Sequence, residues 1–168
     1  MPTSVPVRDG RSPEVDSAGR AFTVVSIGDQ ARATARAWVR RIGEMDAPLT
    51  ALHHTEADEE AVASLAHELR GATVGWRLLL AGPETDVLLL EATALREGAL
   101  RAEIRAHITD TSERRTRCTH CGRTTRSRTP VGAMLPCAGC GRTLVVYHHV
   151  SRRHAAYMGF MADAEEAP

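Results

Sequence analysis

Residues 118–122 read Cys-Thr-His-Cys-Gly, residues 137–141 read Cys-Ala-Gly-Cys-Gly, and 15 residues separate the last cysteine of the first motif from the first cysteine of the second. These two motifs, which we call knuckles, hold all four cysteines of the 168-residue chain. Each is a tight turn that directs two thiolates at one point, and its final glycine tolerates the positive φ that such a turn needs. Four thiolates at this spacing match the tetrahedral shell of a zinc site. The sequence therefore predicts one metal site with the ligands Cys118, Cys121, Cys137 and Cys140.

Disulfides are the main alternative for the four cysteines, and we do not expect them. The N-terminus lacks the apolar core of a secretion signal and no stretch has the length of a membrane span, so we predict a cytoplasmic protein with no membrane contact. Disulfides are rare in that compartment. Zinc is the predicted metal and redox iron the alternative, because iron sites usually have a dry shell that tunes their potential. The sequence neighbours of the cysteines are a polar set without aromatic residues: Thr119, His120, Arg123, Thr124, Thr125, Ala138, Arg142 and Thr143.

Charge is distributed unevenly along a chain whose formal net charge is zero. All 21 basic residues are arginine, which excludes lysine catalysis. Residues 1–112 carry 12 arginines and 17 acidic residues, whereas residues 113–153 carry nine arginines and one acidic residue. Three further acidic residues make residues 161–168 an acidic tail. The pattern predicts an acidic front domain and a basic C-terminal unit.

The domain organisation follows from composition and periodicity. Residues 1–20 contain three prolines and two glycines without an apolar pattern, and we predict that they are disordered. Residues 21–112 alternate strand and helix patterns, and residues 113–160 contain the knuckles. The fold class is therefore α/β, with a small parallel-sheet layer domain followed by a four-cysteine unit of the zinc-ribbon or rubredoxin-like kind.

Four β-rich runs and three helices with apolar periodicity make up the front domain. The predicted strands are Phe22–Ile27, Pro48–His53, Trp76–Ala81 and Glu103–Thr109. Asp29 is predicted to cap the first helix, Asp58 to lie in the first turn of the second, and Gly71 to end that helix as a left-handed C′ residue. The third helix is predicted from Thr85 to Glu97. Strands that alternate with helices predict a parallel sheet with helices on its faces.

The front domain has only a degenerate form of a nucleotide-binding pattern. A phosphate cradle needs a glycine-rich first turn, whereas here that turn has the single glycine Gly28 followed by Asp29, which repels phosphate. We therefore expect no tight binding of NAD(P)H by this chain alone. Gly82, Pro83 and Glu84, where the chain turns into the third helix, are weak candidates for cofactor contacts. Three histidines, His53, His54 and His67, are predicted to be surface or strand-end residues rather than ligands.

The segment after the second knuckle carries many specific side chains. Thr143–His149 is predicted to be a strand that leaves the metal site, and residues 149–160 a segment that docks on a partner. The alternative is that this segment tethers the C-terminus to the front domain. The predicted partner-binding residues are Arg152, Arg153, Tyr157 and Phe160, because guanidinium groups suit carboxylates and aromatic residues are enriched at interfaces.

The stretch from about Cys118 to Phe160 resembles a known family. Pro136-Cys-Ala-Gly-Cys-Gly-Arg142, Leu144-Val-Val146, His149-Val-Ser-Arg-Arg153 and Ala156-Tyr-Met-Gly159 are similar to the C-terminus of the DmmA-like family, the small subunit of bacterial dimethylamine monooxygenase. The front domain is similar, more weakly, to the nucleotide-binding lobe of ferredoxin-reductase-like flavoproteins. The resemblance implies an NAD(P)H- and O₂-dependent enzyme that converts dimethylamine to methylamine and formaldehyde. It also implies that haem, FMN and iron–sulfur centres belong to partner subunits, a catalytic haem subunit and a flavin reductase subunit.

Three classes of function are compatible with these patterns. The first is an accessory subunit of an amine monooxygenase, inactive alone, for which the sequence indicates no catalytic residue. The second is a basic zinc ribbon that binds nucleic acid through its arginines; it ranks lower because Tyr147 and Tyr157 are its only aromatic residues for stacking before Phe160, and the chain also carries an acidic domain and tail. The third is a rubredoxin-like electron carrier with iron in the four-cysteine site.

Overall fold

The computed structural model describes residues 12–162, which form two compact units divided between Asp110 and Thr111. Parts of two predictions lie outside the described residues. They are the first 11 residues of the segment predicted to be disordered, and the acidic residues of the tail, Asp163, Glu165 and Glu166. Each unit has its own sheet and its own apolar core, and each is described by itself below.

The front unit is a four-stranded parallel sheet with helices on both faces, as the sequence predicts. Its strands are β1 (Ala21–Ile27), β2 (Leu49–His54), β3 (Trp76–Pro83) and β4 (Ile104–Asp110), in the order β2-β1-β3-β4. Its helices are α1 (Arg32–Gly43), α2 (Glu59–Arg70) and α3 (Glu84–Arg96), with short 3₁₀ turns at Asp29–Ala31 and Arg101–Glu103. The alternation of strand and helix along the chain is what makes every pairing in this sheet parallel.

The sheet of the front unit buries apolar side chains on both faces. Strand residues of alternating parity pack on α1 on one side and on α2 and α3 on the other, as the pleat of a strand requires. The α1 face includes Val24, Trp38 and Leu79, and the opposite face includes Val25 and Leu90. Burial of this kind on both faces explains why the predicted strands read as nearly continuous apolar runs.

Three details at helix ends differ from the predictions. Asp29 does not cap α1; it is the first residue of the 3₁₀ turn and its carboxylate accepts from the guanidinium of Arg32 at 2.9 Å. Asp58 is the N-cap of α2 rather than part of its first turn, because its side chain accepts from the backbone N–H of Ala61. Gly71 has φ −93°, so α2 ends without the left-handed residue that the glycine suggested.

The prediction of disorder is wrong for residues 12–20. The carboxylate of Asp16 accepts from the guanidinium of Arg77 at 2.6 Å, and the indole N–H of Trp38 donates to the carbonyl of Pro13 at 2.9 Å. Val15 packs against the α1 side of the core. The composition of this segment is typical of disorder, but its few specific side chains bind to residues far away in the sequence.

The C-terminal unit is a five-stranded sheet in the order β6-β5-β9-β8-β7. Its strands are β5 (Arg114–Cys118), β6 (Thr124–Ser127), β7 (Met134–Pro136), β8 (Thr143–Ser151) and β9 (Ala156–Met161). All neighbouring pairs are antiparallel except β5 and β9, which are parallel. The predicted docking segment, residues 149–160, therefore comprises the end of β8, the turn after it and most of the central strand β9. No helix among the described residues is long and apolar enough to cross a membrane.

Candidate metal centre

The two knuckles have the same backbone geometry. The N–H of Cys118 donates to the carbonyl of Arg123 at 2.9 Å, and the N–H of Cys137 donates to the carbonyl of Arg142 at 2.9 Å. The N–H groups of Gly122 and Gly141 donate to the carbonyls of Cys118 and Cys137 at 3.0 Å each. Both glycines have positive φ, 74° and 71°, as predicted for the residue that follows each pair of cysteines. Each knuckle is thus a closed turn that fixes two thiols on the same side of the chain.

The four thiols converge on one point. Their sulfur atoms all lie within 4.8 Å of one another, with Cys118 Sγ 3.9 Å from Cys140 Sγ and Cys121 Sγ 3.5 Å from Cys137 Sγ. Four sulfurs at about 2.3 Å from a tetrahedral ion lie about 3.8 Å apart. The geometry therefore fits one metal ion with four thiolate ligands, and it brings together all four cysteines that the sequence singles out.

Hydrogen bonds outside the thiols hold the knuckles on the sheet. In the first knuckle, Thr119 donates to the carbonyl of Gly159 in β9 through its backbone N–H at 3.0 Å and through its hydroxyl at 3.1 Å. In the second knuckle, the backbone N–H of Ala138 donates to the hydroxyl of Thr125 in β6 at 3.2 Å. The metal site is therefore connected to both the central and the outer strands of the C-terminal unit.

The surroundings of the site are dry on one side and open on the other. Cys118 and Cys137 are 1% and 3% exposed, in one apolar cluster with Leu135, Leu144, Val146 and Tyr157. Cys121 is exposed and Cys140 is half-buried. The sequence neighbours suggested a polar shell without aromatic residues, and this is wrong for the inner half. Tyr157 reaches the cluster from a strand that is distant in sequence, so the local pattern did not reveal it.

The thiols of Cys137 and Cys121 differ in acidity. The backbone N–H groups of Cys140 and Gly139 stabilise the Cys137 thiolate and lower its pKa to about 6. The backbone N–H of Arg123 acts in the same direction on Cys121, but desolvation and the three neighbouring thiols raise the pKa of Cys121 to about 11. Four thiolates in so small a space repel one another, and a bound cation offsets that repulsion. The cluster is therefore suited to a divalent or trivalent ion.

The four residues predicted to bind a partner are placed differently from one another. Arg152 and Arg153 are exposed in the turn between β8 and β9, and Phe160 is 44% exposed on β9. Tyr157, by contrast, is 3% exposed in the core of the sheet, so its proposed role as a surface anchor is wrong. The register of β9 explains the difference, because Tyr157 pairs with the fully buried Thr116 of β5.

The weak cofactor candidates of the front unit lie at the end of β3 and the start of α3. Gly82 packs closely on β1, since a Cβ there would be 2.9 Å from the Cβ of Ile27. Glu84 begins α3 and is 6% exposed, and Asp86 in the same first turn is 7% exposed. A helix N-terminus binds phosphate through its N–H donors, and two buried acidic residues in this first turn disfavour an anion there. The glycine thus has a packing role, which the sequence alone did not indicate.

The fold and the cysteine cluster define the class of the protein: a parallel α/β unit followed by a β-sheet unit whose four thiols suit one metal ion. Residues 115–160, which contain the whole cluster, match the family model described as "Dimethylamine monooxygenase subunit DmmA-like, C-terminal domain". This match confirms the resemblance to the DmmA-like family over the C-terminal unit.

A relative with a longer match supports the same family. The chain is 39% identical over 102 residues to the heme-dependent oxidative N-demethylase delta subunit of Ectopseudomonas mendocina (strain ymp). The match covers 61% of this chain and 57% of that relative, so the chain spans less than two thirds of the relative's length. No solved structure matches the chain significantly.

Proposed function

We propose that this protein is an accessory subunit of a multi-subunit, haem-dependent amine monooxygenase that demethylates dimethylamine to methylamine and formaldehyde with NAD(P)H and O₂. The observation that carries the proposal is the family match, which coincides with the metal-binding sheet over residues 115–160. The relative from Ectopseudomonas mendocina is itself a subunit of a haem-dependent N-demethylase, and this supports a role in a complex. We place the protein in the cytoplasm, where free thiols persist.

The division of labour in such a complex follows from the donor groups of this chain. Its four thiols converge on one point, and this arrangement suits a single metal ion rather than a haem, a flavin or a cluster of several irons. We therefore assign the haem to a catalytic partner subunit, and the FMN and iron–sulfur centre to a reductase partner subunit. The role proposed for this chain is to hold its own metal ion and to dock on those partners.

We propose zinc as the metal, in a structural role. The closed backbone turns and the four-thiolate shell are typical of structural zinc, and the exposed edge at Cys121 contrasts with the dry shell of most redox iron sites. One observation favours iron and electron transfer as a second candidate. Cys118 and Cys137 lie in an apolar cluster, and N–H groups from Gly139 and Cys140 reach the Cys137 sulfur, as in sites whose potential is tuned by hydrogen bonds.

Metal analysis separates the two candidates. Elemental analysis of protein from zinc- and iron-containing medium should give about one zinc per chain and a colourless protein. A red protein with one iron per chain, reduced reversibly by a flavin reductase, would replace the structural role with electron transfer. Folded protein without metal would contradict both candidates.

The role in a complex is tested by co-expression. Tagged protein should co-purify with the haem and reductase subunits of the same system and give dimethylamine-dependent NAD(P)H oxidation with formaldehyde release. Omission of this chain should abolish or greatly reduce that activity. Full activity of the other subunits without it would overturn the proposal.

A further inference from the structure

One face of the C-terminal sheet carries a continuous apolar stripe, of which the sequence analysis named only Phe160 as a partner-binding residue. Met134 of β7 pairs with Val145 of β8, and Val145 pairs with Phe160 of β9, so these three side chains lie side by side on one face. Two residues further along β8 and β9, Tyr147 and Met158 have the same parity in their strands. We call these five residues the outer stripe.

Three residues of the outer stripe are exposed and two, Val145 and Met158, are half-buried, whereas the opposite face is buried. Met134 is 65% exposed, Phe160 44% and Tyr147 39%. Their neighbours of opposite parity, Leu135 and Leu144, are 3% and 0% exposed in the core cluster. A sheet normally covers an apolar face, and a contiguous exposed apolar patch on a small unit marks an interaction site. The exposed apolar patch therefore indicates that another molecule binds this face.

A bulge in β8 lies beside the aromatic residues of this face. Val146 pairs with Gly159 and Val150 with Tyr157, so the three residues 147–149 of β8 oppose a single residue of β9. The ring of Tyr147 packs edge-to-face on Phe160, with centroids 5.4 Å apart and planes at 84°, and it lies 4.1 Å from the ring of His148. Bulges re-aim side chains and are common beside functional sites. The rings of Tyr147 and Phe160 thus contact each other on the same face of the sheet.

Exposed arginines lie at both ends of the strand that carries the stripe. Arg142 immediately precedes β8, and Arg152 and Arg153 form the turn that follows it; all three are exposed. Residues 113–153 contain nine arginines and a single acidic residue. An apolar centre with a charged rim is the anatomy of a protein interface, and guanidinium groups at that rim pair best with carboxylates.

We propose that the outer stripe is the docking surface of this chain for a partner protein with an apolar centre and a carboxylate-rich rim. The inference rests on the proposed function, since it names the surface through which the subunit would join its complex. In this proposal Tyr147 and Met134 bind the partner in place of the predicted Tyr157, and Phe160 keeps its predicted role. Charge complementarity is what selects an acidic partner surface over a second copy of this basic unit.

A single-stranded nucleic acid is a less suitable occupant than a protein. Aromatic rings with nearby arginines can stack on bases. Three of the five stripe residues, Met134, Val145 and Met158, have no ring and cannot stack in this way. Aliphatic surface gains most from burial against apolar protein side chains. Nucleic acid is therefore an outcome of the test rather than the proposal.

The test uses the full chain with Tyr147→Ser and Phe160→Ser together, co-expressed with the haem and reductase subunits. Loss of two aromatic anchors should weaken assembly about 30-fold or more, measured by titration of the purified partners. Val74→Ser is the matched control, because Val74 is a 94% exposed apolar residue of the front unit. Metal content should be unchanged in both variants, because neither alters a cysteine or a fully buried side chain. The melting temperature of the double variant should fall slightly, because the ring contact between Tyr147 and Phe160 is lost.

The outcomes separate the two proposals. If the unmodified chain does not assemble with these subunits, the proposed function fails. If it assembles and the double variant assembles equally well, the function stands and the docking surface is overturned. The double variant is also tested for self-association and for binding of a fluorescent single-stranded RNA. If it loses either of these while assembly with the subunits stays intact, the docking surface is overturned. If the double variant loses its metal, the titration is repeated with the single variant Phe160→Ser.

Discussion

Gly139 of the second knuckle packs directly on Arg123, the residue after the first knuckle. A Cβ atom on Gly139 would lie 2.8 Å from the Cβ of Arg123 and 3.1 Å from the sulfur of Cys121. The two metal-binding turns therefore approach each other too closely to admit a side chain at this position. The φ of Gly139 is not positive, so the turn itself does not require a glycine at this position. The close contact with Arg123 explains why a glycine stands between Cys137 and Cys140.

We expect Gly139→Ala to weaken metal binding by about 5- to 150-fold, because overpacking of this size costs about 1–3 kcal/mol. Competition with a chromophoric chelator measures the metal affinity. Ala138→Ser is the control, because Ala138 is exposed beside the same cysteines. Equal affinities of the two variants would show that the knuckles can separate at no cost.

Metal removal should unfold the C-terminal unit and leave the front unit folded, since metal binding and local folding are coupled. The folding of the two units can be followed separately by spectroscopy. Both tryptophans, Trp38 and Trp76, lie in the front unit, and both tyrosines, Tyr147 and Tyr157, lie in the C-terminal unit. A strong chelator should abolish the near-ultraviolet circular dichroism of tyrosine and leave the tryptophan emission maximum unchanged. Cys118→Ser should reproduce that result without chelator. Parallel loss of both signals would mean that the metal also stabilises the front unit.

Local signals in the sequence predicted the strands and helices of the front unit, the strand β8, and the convergence of the four cysteines. A knuckle needs only five residues, and an apolar run such as Trp76–Ala81 is visible without knowledge of its neighbours. The pairing of Thr116 with Tyr157 joins residues far apart in the chain, and no local pattern indicates it. For that reason Tyr157 was assigned to the surface although it lies in the core.

Exposure of an apolar residue was equally hard to predict. The alternation of Leu144, Val145, Val146 and Tyr147 gives two faces, but the sequence does not say which face a second layer covers. The bulge beside Tyr147 follows from the register between β8 and β9, and no glycine or proline in β8 indicates it. Composition likewise misjudged residues 12–20, where single contacts such as Asp16 with Arg77 fix the chain.

Asp16→Asn should lower the free energy of unfolding of the front unit by about 1 kcal/mol at neutral pH. Arg77 donates to this carboxylate at 2.6 Å, and that hydrogen bond, followed by the backbone N–H of Ala18, lowers the pKa of Asp16 below its ordinary value of 3.8. A lowered pKa in the folded state means that the contribution is complete above pH 3.8 and is lost as the pH falls below it. The stabilities of the two proteins should therefore converge in acid.

Denaturant titration followed by tryptophan fluorescence measures this difference. Asp29→Asn is the matched control, because Asp29 makes the same kind of contact with Arg32, but with 92% of the Asp29 side chain exposed. Its effect should stay within about 0.5 kcal/mol. Equal stability of Asp16→Asn and the unmodified protein at neutral pH would mean that the N-terminal segment contributes nothing to the fold.

The isolated protein should not bind NADH or NADPH with sub-micromolar affinity. Asp29 follows β1, and Glu84 and Asp86 lie in the first turn of α3, so carboxylates stand at both helix starts where a pyrophosphate would bind. Titration calorimetry with each nucleotide measures the affinity. Sub-micromolar binding of either nucleotide would contradict the prediction and move NAD(P)H to this subunit. If Glu84→Gln left that affinity unchanged, the repulsive role of the Glu84 carboxylate would be wrong as well.

Arg152→Ala with Arg153→Ala should leave the melting temperature unchanged and slow assembly with the partner subunits about tenfold at low salt. Both side chains are exposed in the turn between β8 and β9, where their charges contribute to encounter rather than to folding. The difference from the unmodified chain should shrink as salt screens the charges. Arg36→Ala with Arg40→Ala removes the same charge from the exposed surface of α1 and is the control. If the segment instead tethers the C-terminus to the front domain, the double variant would melt at a lower temperature while its folded fraction assembles at the normal rate. Stopped-flow association and thermal melting together distinguish docking from tethering.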